Sequence, residues 1–189
     1  MVLLGLGNPG RRFAATRHNV GFWILDLLAA QLHARWRRPF LEPSYRYARP
    51  ADRRYTLVRP TTFMNRSGTA VRAYRRRTTL EPAELLVVVD NMDLPPGQIR
   101  CKTRGGAATH NGLRSVSDAL KSDEYARLYV GVGRPGPTVS VIDHVIGEFD
   151  QAELDAVSAA VARAVHTIAN EPWSTTAQLA AKVNERRYQ

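Results

Sequence analysis

The 189-residue chain alternates short apolar runs with amphipathic stretches. Near its start, Val2-Leu3-Leu4-Gly5-Leu6 has the pattern of a buried strand, closed by the turn formers Gly7-Asn8-Pro9-Gly10. From about 19 to 35, Val20, Trp23, Ile24, Leu27, Leu28 and Leu32 return at helical spacing and predict an amphipathic helix. Two strands follow, at 45–49 and 55–59, joined around Ala51-Asp52. Asn65 or Ser67 is placed to cap a helix running to about Arg77, whose closing arginines suit the negative end of a helix dipole. Leu85-Leu86-Val87-Val88-Val89 is apolar at every position, as a strand covered on both faces reads, and is expected to stop at Asp90. Further strands are expected at 98–102 and 128–132, and a helix from about 111 to 120. Asp150 and Glu153 form a capping box for a helix reaching about 169, and Ser174 opens a last helix ending in Glu185-Arg186-Arg187. This alternation predicts a single α/β domain over residues 1–189, with a twisted, mostly parallel central sheet and helices on both faces.

Composition narrows the class. One cysteine, Cys101, excludes a disulfide framework and a cysteine-rich zinc site. The apolar run at 2–6 falls far short of the ~20 residues of a membrane span. A cytoplasmic protein with no membrane partner is therefore expected. The net charge of +10 is unevenly placed. The first 80 residues hold 16 arginines and three acids (Asp26, Glu42, Asp52), a net of +13, while the other 109 hold 11 cations and 14 acids. A basic half beside a mildly acidic one points to a polyanion partner, although codon bias toward arginine leaves the same trace.

The polar residues suggest where chemistry sits. In open α/β sheets, ligands bind outside the carboxyl ends of the strands. Asn8 follows the first expected strand, Asp90 ends the valine-rich one, and His110-Asn111 follow the 98–102 strand. His18 and Asn19 stand at the mouth of the first helix. Gly5-Leu6-Gly7-Asn8-Pro9-Gly10 fits G-x-G-x-x-G, but a dinucleotide site also needs an acid at the end of a second strand about 20 residues on. Asp26 falls inside a helical pattern instead. His18, Asp90 and His110 lack the spacing of a metal motif. Cys101 has no adjacent base, and no serine sits in a G-x-S-x-G elbow. Water is left as the nucleophile, with no metal or organic cofactor expected. An imidazole titrates at about 6.5, so His18 can exchange protons near neutrality, with a carboxylate such as Asp90 fixing its tautomer. An asparagine amide would complete such a site as donor to an oxyanion. The alternative for His18 is a purely structural histidine, as His33, His144 and His166 are expected to be.

Seven ordered stretches carry a resemblance. They are Gly5-Leu6-Gly7-Asn8-Pro9-Gly10, Thr16-Arg17-His18-Asn19-Val20-Gly21 and Pro60-Thr61-Thr62-Phe63-Met64-Asn65-Arg66-Ser67-Gly68. Then come Asp90-Asn91-Met92-Asp93-Leu94-Pro95-Pro96-Gly97 and Gly105-Gly106-Ala107-Ala108-Thr109-His110-Asn111-Gly112-Leu113. Val130-Gly131-Val132-Gly133-Arg134-Pro135 and Asp143-His144-Val145-Ile146-Gly147-Glu148-Phe149 complete the series. In these the chain resembles the bacterial peptidyl-tRNA hydrolase family, monomeric enzymes that cleave the ester between a peptide and tRNA. The resemblance implies that His18 is the general base, that Asp90 holds it, and that Asn8 places the ester and tells an acylated from a free amine. It implies that Asn65 and Asn111 hold the peptide and the tRNA 3′ end. Phe13, Phe63 and Met64 would line the groove, and Lys102 would clamp tRNA phosphates. Four places depart from the family pattern. Ala107, Ala108 and Thr109 replace His-Gly-Gly; Asn91 replaces an acid; Phe13 replaces a tyrosine; and Tyr129 stands where a second phosphate-binding arginine is frequent. The alternative function is a non-catalytic RNA-binding protein on the same scaffold.

Overall fold

A computed structural model of the chain describes residues 1–52, 54–107 and 109–185. Its six strands are β1 (Val2–Gly5), β2 (Tyr45–Ala48), β3 (Thr56–Pro60), β4 (Leu85–Asn91), β5 (Ile99–Lys102) and β6 (Ala126–Gly131). They form one sheet in the order β2-β3-β1-β4-β6-β5. β3, β1, β4 and β6 run parallel, and the edge strands β2 and β5 run antiparallel to their neighbours. The helices are α1 (Val20–Gln31), α2 (Ser67–Arg75), α3 (Asn111–Leu120), α4 (Val141–Ile146), α5 (Gln151–Asn170) and α6 (Thr176–Glu185). The expected α/β class, mostly parallel sheet and two helical layers are all present.

Side chains on a strand alternate between faces, and the central strands are apolar on both. Leu3, Leu86, Val88, Leu128 and Val130 point into one core with Val20, Ile24 and Leu28 of α1 and Val157, Val161 and Ile168 of α5. Val2, Leu4, Val87 and Val89 point into a second core with Val71 and Tyr74 of α2 and Leu113, Val116 and Leu120 of α3. Full burial of each such aliphatic side chain contributes about 1.5–3 kcal/mol against the entropy of ordering the chain. Two glycines set how close the layers come. A Cβ on Gly21 would lie 2.5 Å from the carbonyl oxygens of Leu6 and Val88, so only glycine lets the start of α1 rest on β1 and β4. A Cβ on Gly68 would lie 1.9 Å from the Ser115 carbonyl oxygen, where α2 crosses α3.

The element bounds differ from the sequence pattern where something other than periodicity decides. α1 stops at Gln31, and the chain turns through His33 at φ 50°, although Leu32 still packs on the core and so extends the helical pattern. Neither Asn65 nor Ser67 caps α2 by its side chain; residues 64–66 form one 3-10 turn, and Ser67 donates its hydroxyl to the Met64 carbonyl at 2.8 Å. β4 continues through Asp90 to Asn91, which still pair with Val130 and Gly131. The box of Asp150 and Glu153 is formed in full at the start of α5. Arg186 and Arg187 lie outside the described residues. The short helix α4 was not expected; Ser140 caps it by accepting from the Asp143 N–H at 3.1 Å. Among the described residues, no helix is long and apolar enough to cross a membrane.

Candidate active site

The carboxyl ends of β1 and β4 point to the same edge of the sheet, and the loops leaving them build a cleft of about 730 Å³. Asn8 lies three residues beyond β1, and Asp90 is the penultimate residue of β4. His18 belongs to a 3-10 turn that leads directly into α1, so the close seat of Gly21 on β1 and β4 also sets the His18 position. His110 is the residue preceding α3 and reaches the cleft differently from the sequence expectation. β5 is antiparallel to β6, so its end at Lys102 lies opposite Arg127, toward the amino end of β6. His110 is therefore at the cleft because α3 begins at that end of the sheet, away from where β5 stops.

Asp90 is the centre of the polar group. Its side chain is 1% exposed and faces two imidazoles. His18 Nδ1 lies 2.9 Å from both carboxylate oxygens, and His110 Nε2 lies 3.1 Å from Oδ1. The His110 tautomer follows from its other nitrogen. Nδ1 accepts the backbone N–H groups of Gly112 and Leu113 at 3.1 and 3.3 Å, which leaves Nε2 to donate to Asp90. For His18 the carboxylate accepts the Nδ1–H hydrogen bond, so the Nε2 lone pair is the one left for chemistry. Burial by itself would raise the Asp90 pKa; the histidines facing it outweigh that and hold it below the ordinary carboxylate range. Burial by itself would lower His18; the charge and hydrogen bond of Asp90 outweigh it and raise His18 above 6.5.

Asn8 is oriented with equal care. Its backbone N–H donates to Asn19 Oδ1 at 2.7 Å, and its carbonyl accepts from Asn19 Nδ2 at 3.0 Å. Its side-chain oxygen accepts the Met64 N–H at 2.9 Å. With Oδ1 so engaged, the Nδ2 donor is the free end of the amide, and Asn8 lines the cleft. Asn19, which reads as part of the helix start, is thus the residue that fixes Asn8.

Of the nine residues singled out from the sequence, His18, Asp90, Asn8, Phe63, Met64, Asn65 and Asn111 line this one cleft. Asn111 has its side-chain oxygen engaged by Arg114, leaving its amide donor unpaired within the helix start. Phe13 stands outside the lining, with its ring edge-on to Phe63 at 6.2 Å. Lys102 is exposed at the far end of β5, away from the cleft lining. Of the departures, Ala107, Thr109, Asn91 and Tyr129 all line the cleft, and Tyr129 is 8% exposed; Ala108 lies outside the described residues.

Two further contributions come from residues the sequence pattern does not single out. Val141, Ile142, Val145 and Ile146 of α4 form an apolar wall of the cleft. The cap Ser140, three residues before Asp143, is the signal the sequence offers. Arg17 is the second. Its guanidinium donates to the carbonyls of Glu148 at 2.7 Å and His144 at 3.4 Å, pairs with Glu153, and lies 4.8 Å above the Phe149 ring. It ties the turn carrying His18 to the end of α4 and the start of α5.

His18, Asp90 and His110 also offer ligand atoms within 4.8 Å of one another, close enough in principle for a metal. As arranged, the carboxylate is taken up by imidazole hydrogen bonds, and the free His18 nitrogen beside an oriented amide donor is the furniture of water activation.

An α/β sheet with a carboxylate-held histidine and an amide donor at its strand ends is compatible with a hydrolytic site. The comparisons make it particular. The family model for peptidyl-tRNA hydrolase matches residues 2–189. A peptidyl-tRNA hydrolase of Halalkalibacterium halodurans is 38% identical over 91% of this chain and 95% of its own. One from Synechococcus is 42% identical over 92% of this chain and 79% of its own. The crystal structure of peptidyl-tRNA hydrolase from Acinetobacter baumannii superposes with a TM-score of 0.88 at 31% identity, covering 97% of this chain and 93% of that one. The chain belongs to the peptidyl-tRNA hydrolase family.

Proposed function

We propose that the chain hydrolyses the ester joining a peptide, or any N-blocked aminoacyl group, to tRNA, releasing the tRNA for reuse in translation. His18 Nε2 takes a proton from water while the resulting hydroxide adds to the ester carbonyl carbon. Asp90 stabilises the imidazolium so formed and keeps its own charge. Asn8 Nδ2 donates to the carbonyl oxygen as it becomes an oxyanion. The tetrahedral intermediate then expels the ribose oxygen of the tRNA, which receives the proton held on His18, and the peptide leaves with a free carboxyl group. Asn65 and Asn111 hold the peptide backbone and the 3′ end, since an amide offers both donor and acceptor without reading side chains. Phe63 and Met64 form the apolar floor with Phe13 behind Phe63, and Lys102 contacts phosphate. No step calls for a metal or cofactor. The proposed working form is a monomer in the cytoplasm, where its substrate is made.

The observation that carries this reading is the contact of His18 Nδ1 with both Asp90 oxygens at 2.9 Å beside an Asn8 amide with its donor free. The test is ester cleavage of N-acetyl-aminoacyl-tRNA. The wild type is expected to cleave it, and His18→Ala to lose on the order of 10²–10⁴-fold, the usual worth of a general base. Binding of tRNA without cleavage by either protein would favour the non-catalytic RNA-binding reading instead.

A further inference from the structure

A second concave site lies at the opposite edge of the sheet. β2 is antiparallel to β3, so the chain beyond its last residue, Ala48, emerges where the parallel strands begin. There a cavity of about 700 Å³ is lined by His33, Arg35, Arg37, Tyr47, Arg49 and Tyr55, among others. Its backbone is held in place. Arg37 N–H donates to the Tyr47 carbonyl at 2.8 Å and Tyr47 N–H to the Arg37 carbonyl at 3.0 Å, an antiparallel bridge that lays the 35–37 segment beside β2.

Continuing that register places Arg35 opposite Arg49, and the alternation of side chains puts Arg35, Arg37, Tyr47 and Arg49 on one face of the ribbon. Like charges directly opposite each other across a ribbon cost stability. Among the described residues, none of Arg35, Arg37 and Arg49 has an acidic partner; Asp52, on the turn after β2, is paired with Arg54 at 2.6 Å. Arg49 instead lies 5.3 Å over the Tyr47 ring. A further unmet group lines the same cavity: Tyr55 is 1% exposed, and its hydroxyl has no hydrogen-bond partner. Burial pushes that phenol up to about 12, so it remains a donor. Three unneutralised guanidinium groups and an unpaired buried hydroxyl in one concavity call for an anion with several oxygen acceptors.

We propose that this cavity binds backbone phosphates of RNA, as a second, sequence-independent contact for the tRNA whose 3′ end enters the catalytic cleft. The proposal rests on the reading of that cleft as a peptidyl-tRNA site. The parallel strands span on the order of 20 Å, so the two sites are separated by a distance that one arm of a tRNA covers. Arginine suits the contact because its planar fork matches phosphate, and such contacts position RNA without reading its bases.

The experiment compares the wild type with Arg35→Glu/Arg37→Glu/Arg49→Glu, all exposed positions. Fluorescence anisotropy measures the affinity for deacylated tRNA across a salt series. Hydrolysis is measured on N-acetyl-aminoacyl-tRNA and on a short N-acetyl-aminoacyl oligonucleotide carrying only the 3′ end. The variant is expected to bind tRNA at least tenfold more weakly at low salt, with a slope of log affinity against log salt shallower by about 2–3. Its KM for full-length substrate should rise at unchanged kcat, while both constants on the short substrate stay within twofold of wild type. An unchanged slope and KM on full-length substrate, or an equal loss on the short substrate, overturns the proposal. If the triple reversal does not melt like the wild type, Arg35→Gln/Arg37→Gln/Arg49→Gln is read in its place against the same outcomes. Should the wild type cleave neither substrate, the cleft reading falls, and the slope comparison still decides whether the cavity holds RNA.

Discussion

His18 has both Asp90 oxygens within 2.9 Å and is 14% exposed at its side chain, so its basicity is set by burial, which lowers it, and by the Asp90 charge and hydrogen bond, which prevail. A general base works only when unprotonated, and Asp90 raises the pH at which that happens. The acid limb of kcat/KM is therefore expected to lie above pH 6.5, activity falling as pH drops through it. Asp90→Asn removes the charge and leaves the burial, which favours the neutral imidazole. The limb should then move to lower pH while the plateau falls on the order of 10²–10⁴-fold. Paired pH–rate profiles check this, and a limb that stays in place in Asp90→Asn would show that another group controls it. The sequence made His18, Asp90 and Asn8 legible as candidates because polar residues ending apolar runs stand out. What holds them was less legible. Asn19 and Arg17 act on partners 11 and more than 100 residues distant, and His110 reaches Asp90 through a tautomer fixed by backbone N–H groups of α3. Such relations exist only once the chain is folded.

At the scale of elements, the contact between α2 and α3 shows how narrowly the cleft walls are set. Gly68 is the second residue of α2, just after the Met64–Arg66 turn, and its missing side chain is what admits the Ser115 carbonyl. Gly68→Ala forces the two helices apart, and overpacking of this kind costs about 1–3 kcal/mol. Chemical denaturation should show a lower midpoint at unchanged slope; an unshifted midpoint would mean the helices part freely. Since Met64 and Asn65 lead into α2 and Asn111 begins α3, KM is expected to rise as well. Elements with strong local signals were readable: β4 by its apolar run, α5 by its capping box, and α3 by periodicity together with the turn before it. Those decided by neighbours were not. β5 joins the sheet antiparallel because the 92–98 turn reverses the chain against β6, which its four residues do not announce. α4 has six residues, too few for a period to stand out, yet it supplies the apolar wall of the cleft.

Across the whole molecule, the +10 charge fits the proposed polyanionic partner, and its placement bears on how that partner would be held. The arginine cavity lies at the β2 edge of the sheet and Lys102 at the β5 edge. Five strand spacings of about 4.8 Å put these edges roughly 24 Å apart. At that separation, beyond a Debye length of about 8 Å at physiological salt, the two proposed contacts are expected to act on RNA independently. Tyr129, which lines the cleft, adds no permanent cation between them. Lys102 shares its edge with Arg100 and Arg104, and Lys102→Ala should weaken tRNA binding and lower the salt slope by about 0.7–0.9, the loss of one phosphate contact. The decrement should be the same in the wild type and in the arginine-cavity variant, because the contacts are independent. Anisotropy titrations over a salt series on the four proteins measure this. An unchanged slope in Lys102→Ala removes Lys102 from the interface. A decrement that vanishes when the arginines are reversed would mean that the two edges grip one RNA segment cooperatively rather than separate parts of the tRNA.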